Sequence, residues 1–311
     1  MARGYVSVSG KTANGKKAYL VKGKLTYKGR KAYVVKNGKT CLSWSGTESG
    51  EIIVTKSGDV TIPTGVTSVD IFCVGGGGGA GGWFYSDVYY DNGDGSWTNR
   101  YDMFYGGGGG GGYTSTVLDV PVTPGETLTV TIGAGGQCGR SFYYYEDPDG
   151  NDLRGSDTAL TNGGAGGTTS VKRNGTTLCS ASGGSGGEKA NPHSNKGGNG
   201  GDGGSGGCAG GYDYPSGTDL VYNGGVDGGN GDNGYDTTGG TGQGSTTRAF
   251  GEANGTLYSD GGDGAGSKTA IIANSGNGAN VAIGYGADSS GNVTRYGASG
   301  VAIIRWKDRE V

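Results

Sequence analysis

A triplet run limits the folds open to this chain: residues 197–211 read GGN-GGD-GGS-GGC-AGG, two glycines followed by one other residue. The third positions are occupied by Asn199, Asp202, Ser205 and Cys208. A polyproline-II-type helix has three residues per turn and no internal hydrogen bonds, so the run would form a rod with two bare glycine edges. Because buried N–H and C=O groups need partners, we expect one rod in a bundle of laterally hydrogen-bonded polyglycine II helices.

Glycine dominates the rest of the chain as well, with 76 glycines among 311 residues and only 32% hydrophobic residues. Globular proteins contain about 7% glycine. A disordered low-complexity chain is one interpretation of this composition. Strand-like segments between the glycine blocks favour an ordered protein instead; the blocks include 75–82, 106–112, 133–136, 163–167 and 183–187.

Short segments rich in β-branched and aromatic residues alternate with the glycine blocks and predict strands. No segment predicts a helix of two turns, and the last strand is expected to pair near the first ones. We therefore predict an all-β fold, with a β-sandwich-like body, a bundle of polyglycine II helices and a small N-terminal β-meander. The predicted strands are 52–55, 60–63, 68–74, 113–120, 127–132, 168–172, 177–181 and 301–306.

The N-terminus contains a repeat of period 14, in which Arg3-Gly-Tyr5, Lys17-Ala-Tyr19 and Lys31-Ala-Tyr33 align. Residues 1–46 carry eleven Lys or Arg and no Asp or Glu. Such lysines are typical of solvated edge strands, and they also suit docking to a partner or polyanion. We predict an attachment module at 1–46, a linker at Thr40–Gly50 and a glycine-rich domain at 51–311.

Signatures of enzymes and metal sites are absent from the sequence. His193 is the only histidine, and the five cysteines have no CxxC spacing. The acidic turn Asp147–Asp152 begins like a calcium loop, but its glycine and its twelfth residue do not fit one. We therefore predict a non-enzyme without metal or cofactor, with Cys73 and Cys179 as free buried thiols. Neither a secretory signal nor a membrane span is visible in the sequence.

Aromatic residues concentrate in three segments between glycine blocks: 83–105, 140–162 and 212–223. Tyr and Trp among Asp, Asn, Ser and Gly are typical of binding surfaces, since rigid rings combine with adaptable polar groups. The alternative is packing against the ends of the rods, which we assign to Trp83, Phe84, Phe104 and Tyr105. We expect binding loops whose contact residues are Tyr89, Tyr90, Trp97, Tyr101, Tyr144, Tyr145, Tyr212 and Tyr214.

Several ordered motifs carry a resemblance to a known family. They are Pro63-Thr-Gly-Val66, Val69-Asp-Ile-Phe-Cys-Val-Gly75, Val122-Thr-Pro-Gly-Glu-Thr-Leu-Thr-Val130, Thr247-Arg-Ala-Phe-Gly-Glu252 and Ser299-Gly-Val-Ala-Ile-Ile-Arg-Trp306. Together they resemble the glycine-rich domain of phage and prophage tail proteins, which include polyglycine II adhesins of fibre tips. The N-terminal repeat resembles structural proteins of phages that infect Gram-positive bacteria.

The resemblance implies a receptor-binding protein of a tail fibre or tail tip, assembled in the host cytoplasm and located in the virion. Its expected partners are a glycan or protein of the host cell surface and, through 1–46, other tail or baseplate proteins; self-association stays open. A structural tail or spacer protein without receptor contact is the alternative. A host extracellular adhesin would need an export route, and a carbohydrate-active enzyme would need a convergent carboxylate pair.

Overall fold

The computed structural model describes residues 18–22, 25–29, 31–36, 39–45, 49–145, 160–191, 198–208, 212–213, 247–262, 273–280 and 296–306. Within these ranges the chain forms sixteen β-strands, and its one helical element is a single 3₁₀ turn at Ala249–Gly251. The all-β fold predicted from the sequence is therefore confirmed. No helix of the described part is long and apolar enough to cross a membrane.

Two antiparallel hairpins come first: β1 (Ala18–Lys22) with β2 (Leu25–Gly29), and β3 (Lys31–Lys36) with β4 (Lys39–Ser45). They are separate two-stranded sheets rather than one meander. The predicted linker is also wrong in part, because Thr40–Ser45 belongs to β4. Leu42 and Trp44 pair with Tyr33 and Ala32 there. Apolar and β-branched residues favour a strand over a linker.

Two four-stranded antiparallel sheets form the body. The first has the order β10-β7-β16-β5, from strands Thr114–Pro121, Ser68–Val74, Val301–Trp306 and Gly50–Val54. The second has the order β14-β13-β11-β6, from strands Thr176–Ala181, Thr169–Arg173, Thr127–Thr131 and Gly58–Thr61. The last strand lies between β5 and β7, as predicted.

A hydrophobic core joins the two sheets face to face. Alternation along β7 places Val69, Ile71 and Cys73 in this core, where they meet Leu128, Val130, Val171 and Cys179 of the second sheet. Cys73 and Cys179 are buried and free, which confirms that prediction. The other face of β7 carries Phe72 and Val74, which are fully buried in a separate cluster with Phe250 and Tyr258 packed against it.

The glycine segments are joined by backbone hydrogen bonds that repeat every third residue. Segment 75–82 shows the pattern most fully. Gly75, Gly78 and Gly81 donate to the carbonyls of Tyr113, Gly110 and Gly107, at 2.8–2.9 Å. The N–H groups one position further along donate to a different neighbour; Gly76, Gly79 and Gly82 reach Gly167, Gly164 and Thr161. Period-three lateral bonding, rather than a regular helix or strand, characterises these segments, and polyglycine II helix geometry stays a prediction.

Six neighbouring segments surround segment 75–82. Its N–H groups donate to segments 105–113, 161–167 and 296–300, and its carbonyls accept from segments 133–140, 182–190 and 273–280. Segments 198–208 and 259–262 bond to the far side of 105–113. We call this assembly of nine segments the glycine lattice. Lateral hydrogen bonds in it satisfy backbone groups that a buried irregular chain would otherwise leave unpaired.

Close approach of the segments explains why glycine is required. A Cβ built on Gly77 would lie 1.9 Å from the carbonyl oxygen of Asn277, and one on Gly78 would lie 1.9 Å from that of Ser185. On Gly79 the distance to the carbonyl oxygen of Gln137 would be 2.1 Å. Three successive glycines therefore face three different backbones, and each approach excludes a side chain.

The triplet run is not the single rod that its sequence predicts. Gly201 and Gly204 donate to the carbonyls of Gly108 and Gly111, so residues 198–204 run parallel to segment 105–113. Residues 205–208 run in the opposite direction, since Gly108 donates to Cys208 and Gly111 to Ser205. The chain therefore reverses within the run, and its period of three contains no signal for that reversal because glycine permits either path.

A single long hairpin connects the sandwich to the far end of the glycine lattice. Its register is constant through three successive regions: the pairing of β7 with β10, the lateral hydrogen bonds of the lattice, and the strand pairing beyond the lattice. The successive partners are Val74 with Thr114, Gly78 with Gly110, Gly81 with Gly107, and Phe84 with Phe104. The segment between the two paired regions has nine residues (75–83), which would span about 28 Å at about 3.1 Å per residue.

Candidate functional site

An aromatic sheet forms at the lattice end remote from the sandwich. Its strands are β8 (Phe84–Asp91), β9 (Trp97–Phe104), β12 (Phe142–Tyr145) and β15 (Tyr212–Asp213), in the order β12-β8-β9-β15. β8 and β9 form an antiparallel hairpin, β12 lies parallel to β8, and β15 is antiparallel to β9. The interpretation of these segments as loops is therefore wrong for residues 84–91, 97–104, 142–145 and 212–213, the parts that the structure assigns to strands. All three contribute strands to one sheet, in keeping with the β-propensity of Tyr, Trp, Phe and Val.

A row of phenylalanines anchors this sheet to the lattice. Phe84 stacks on Phe142 with ring centroids 5.6 Å apart and meets Phe104 at 6.0 Å. All three are buried, in a cluster with Leu160 and Ala190. The packing role predicted for Phe84 and Phe104 is confirmed. Tyr105 is buried and Trp83 half-buried in a neighbouring cluster of the lattice, so their predicted role is confirmed too.

The hairpin tip, Asn92–Ser96, is fully exposed yet closely hydrogen-bonded. Asn92 donates its backbone N–H to the carbonyl of Ser96 at 3.0 Å, and its side chain bonds Ser96 Oγ and Thr98 Oγ1. The Asp94 carboxylate accepts both the N–H and the hydroxyl of Ser96. Gly93 and Gly95 have φ values of +76° and +79°, which glycine adopts at little cost. The tip is therefore a defined turn.

Strand register divides the predicted binding residues between the two faces of the sheet. Neighbouring strands place paired residues on the same face, and faces alternate along each strand. Tyr89, Trp97, Tyr101 and Tyr145 occupy positions on the face that includes Tyr85. Tyr90, Tyr144 and Tyr212 occupy positions on the opposite face, which includes Phe84. Tyr214 lies outside the described residues, as do the acidic turn at 147–152 and His193.

We call the face that includes Tyr85 the acidic aromatic face. Its register positions hold six aromatic residues: Tyr85, Tyr89, Trp97, Tyr101, Tyr143 and Tyr145. They also hold three carboxylates, at Asp87, Asp91 and Asp213. No Lys, Arg or His occupies a position of this face in the four described strands. Tyr85, at the base of the face, is half-buried.

The opposite face of the aromatic sheet has buried residues at its base and a balanced formal charge. Its base is the buried phenylalanine row, packed against Leu160 and Ala190. Further along, Arg100 and Asp102 balance each other in formal charge, and Tyr90 pairs with Thr98 in the last row. Sequence reasoning identified the aromatic residues but missed this division, because it treated the segments as loops. The faces of Tyr144 and Tyr145 also depend on the pairing of β12 with β8, in which Phe142 and Phe84 are 58 residues apart in the chain.

The first strand of the body, β5, begins at the end of the sandwich remote from the aromatic sheet. Gly50, the first residue of β5, pairs with Trp306, whereas Val301 at the other end of β16 pairs with Val74 beside the lattice. The hairpins of residues 18–45 therefore precede a strand that starts at the far end of the sandwich. The aromatic sheet and the start of β5 lie at opposite ends of the described body.

Comparison with known protein families identifies the family of this chain. Residues 53–307 match the family described as "Glycine-rich domain". The match covers the two sheets of the sandwich except residues 50–52 of β5, together with the lattice and the aromatic sheet. No curated protein matches the chain.

Proposed function

The chain belongs to the glycine-rich domain family, and we propose that it is a receptor-binding adhesin of a phage tail fibre, tail tip or phage-tail-like particle. In this proposal the aromatic sheet binds a glycan or protein of a bacterial surface. The sandwich and lattice hold the sheet rigid, and residues 1–46 attach the chain to other tail or baseplate proteins.

One observation supports this proposal most strongly: aromatic segments from three distant parts of the chain converge on one sheet. Packing needs only the buried row of Phe84, Phe104 and Phe142. β8 and β9 nevertheless continue beyond that row to Asp91 and Trp97. Tyr and Trp beyond a completed core are characteristic of contact surfaces, where rings bury a large area at a small entropic cost.

The layout of the body supports separate ends for attachment and binding. β5 begins at the sandwich end remote from the lattice, and the aromatic sheet follows the lattice at the other end. A backbone lattice with lateral bonds on up to six sides resists bending, so it suits a spacer between two such ends. Several copies on one particle would multiply weak binding through avidity.

Shortening the hairpin tests the proposal. In this variant residues 86–102 are replaced by Asn-Gly, a pair that favours the type I′ turn of two-residue hairpins. The change keeps Phe84, Phe104 and the pair Tyr85–Met103. Binding of labelled full-length protein to a panel of Gram-positive bacteria is then measured by flow cytometry. We expect the shortened variant to lose cell binding while its melting temperature stays within a few degrees of the parent.

The matched control changes a two-residue turn elsewhere in the body. Substitution of the Asn174-Gly175 turn, between β13 and β14, by Asp-Gly keeps its positive-φ geometry and should leave cell binding unchanged. Equal binding by the parent and the shortened variant would contradict the proposal. That outcome would favour the alternative, a structural tail or spacer protein that makes no receptor contact.

A further inference from the structure

We propose that the acidic aromatic face binds a polymer of amino sugars with free, protonated amines. The inference rests on the function proposed above and names the ligand class of that site. It follows from the register of the aromatic sheet, which collects carboxylates and rings on one face and excludes basic residues from it.

The acidic aromatic face differs from the opposite face of the sheet in formal charge. Its described positions hold Asp87, Asp91 and Asp213 without a basic residue, a formal charge of −3. On the opposite face Arg100 offsets Asp102. Complementarity of charge steers partners and disfavours like-charged ones. An anionic surface polymer is therefore a poor occupant, and a cationic one is favoured.

The carboxylates alternate with aromatic positions across the strands. Asp87 pairs with Tyr145 on one side and with Tyr101 on the other, and Asp91 pairs with Trp97. Neighbouring strands are about 4.8 Å apart. The positions of Asp87 and Asp91 are therefore each one strand spacing from an aromatic position. Carboxylates and ring faces together attract ammonium groups through ion pairing and cation–π interaction.

The extent of the face favours a polymer over a single ammonium ion. Asp87 and Asp91 are four residues apart on β8, about 13 Å at about 3.3 Å per residue. Tyr85, Tyr89, Trp97 and Tyr101 extend over the same length. An amino-sugar chain presents ammonium groups repeatedly and offers apolar C–H faces to rings between them. A basic peptide offers the charge without those flat faces.

Two hexasaccharides differing only in acetylation test the inference on the full-length parent protein. Glucosamine hexamer and N-acetylglucosamine hexamer are titrated by calorimetry at pH 5.5, where the free amines are protonated, with hexalysine as a third probe. We expect the glucosamine hexamer to bind at least tenfold more tightly than the other two. Its affinity should also weaken when NaCl is raised from 0.05 to 0.5 M, as expected of a charge-dependent contact.

Isosteric variants test whether Asp87 and Asp91 contact the amino-sugar chain. Asp87→Asn combined with Asp91→Asn should lower the affinity for glucosamine hexamer at least tenfold. The matched control, Asp102→Asn on the opposite face of the same sheet, should change it less than twofold. Far-UV circular dichroism and melting temperature check that each variant is folded. The comparison of the two hexasaccharides uses only the parent protein, so it does not depend on the folding of any variant.

Three outcomes overturn the inference. They are equal affinity for the two hexasaccharides, equal affinity of the Asp87/Asp91 variant and the parent, or hexalysine binding as tightly as glucosamine hexamer. The last would assign the face to a basic peptide. Loss of cell binding by the shortened hairpin, without any binding of glucosamine hexamer, would refute this ligand class and leave the adhesin proposal standing. Cell binding that survives the shortening would refute the adhesin proposal itself.

Discussion

Two parallel hydrogen bonds join the guanidinium of Arg305 to the carboxylate of Glu252, from Nη1 to Oε2 at 2.9 Å and from Nη2 to Oε1 at 2.8 Å. The same guanidinium lies 3.6 Å from the ring centroid of Phe250, and its Nε lies 3.4 Å from Asp70 Oδ2. Phe250 and Tyr258 in turn pack on Phe72. These contacts of Arg305 therefore hold segment 247–258 against the outer face of the first sheet.

Replacing Arg305 by lysine should destabilise the domain by about 1–2 kcal/mol, since lysine makes neither the paired hydrogen bonds nor the flat stacking contact. Glu252→Gln should cost less, about 0.5–1 kcal/mol, because Glu252 is half-exposed. Urea unfolding of both variants and of the double variant measures the coupling between the residues. Additive losses in this cycle would show that the pair is not coupled and would contradict the prediction.

Gly78→Ala should disrupt the glycine lattice. The new Cβ would lie 1.9 Å from the carbonyl oxygen of Ser185, and no flexible side chain can move aside because the neighbour is backbone. We expect a loss of more than about 3 kcal/mol, at the upper end of single-residue effects, or failure to fold. Thermal unfolding and yield of soluble protein measure the outcome.

Gly164→Ala is the matched control on the solvent side of the same lattice. Gly164 is exposed, and the nearest atoms to its Cβ would be the N and O of Gln137 at 3.4 Å. Its φ is not in the left-handed region. Because alanine reduces the entropy of the unfolded chain, this variant should be neutral or more stable by up to about 1 kcal/mol. Equal destabilisation by both variants would refute the lattice argument.

Local sequence patterns were sufficient to predict the sandwich. Ser68–Val74 and Val301–Trp306 have the predicted bounds because strict alternation and β-branched runs determine strands locally. The aromatic sheet was not predicted, since β8 and β9 pair through a register transmitted along two glycine segments. The faces on which Tyr144 and Tyr145 lie depend on the pairing of β12 with β8, which is distant in sequence. The reversal at 203–205 was not predictable either, because Gly-Gly-Xaa triplets lie both before and after it.

Cys73 and Cys179 should resist modification in the folded protein. Cys73 is 0% exposed and Cys179 is 3% exposed, between the two sheets. A hydrogen bond with Cys179 and burial raise the pKa of Cys73, so its reactive thiolate is scarce. We expect both to stay unlabelled by iodoacetamide at pH 8 while half-buried Cys138 reacts, with peptide mass spectrometry as the readout. Labelling of all three at one rate would contradict this, and labelling in urea is the positive control.

Acid should loosen the tip of the aromatic hairpin. Ser96 donates its hydroxyl and its backbone N–H to the Asp94 carboxylate, and these hydrogen bonds lower the pKa of Asp94 below its ordinary value. Because the pKa of Asp94 in the folded protein is below its ordinary value, stabilisation of the turn by these hydrogen bonds is complete when the pH is above the ordinary pKa. This stabilisation is lost as the pH falls through the lowered pKa. We expect the Ser96 amide resonance to titrate with the Asp94 carboxyl in an NMR pH series.

Ser96→Ala removes the first of these donors, so it should move the pKa of Asp94 upward, whereas Thr98→Val, which leaves Asp94 untouched, should not. A tip that titrates identically in the parent and in Ser96→Ala would show that these hydrogen bonds do not hold the turn.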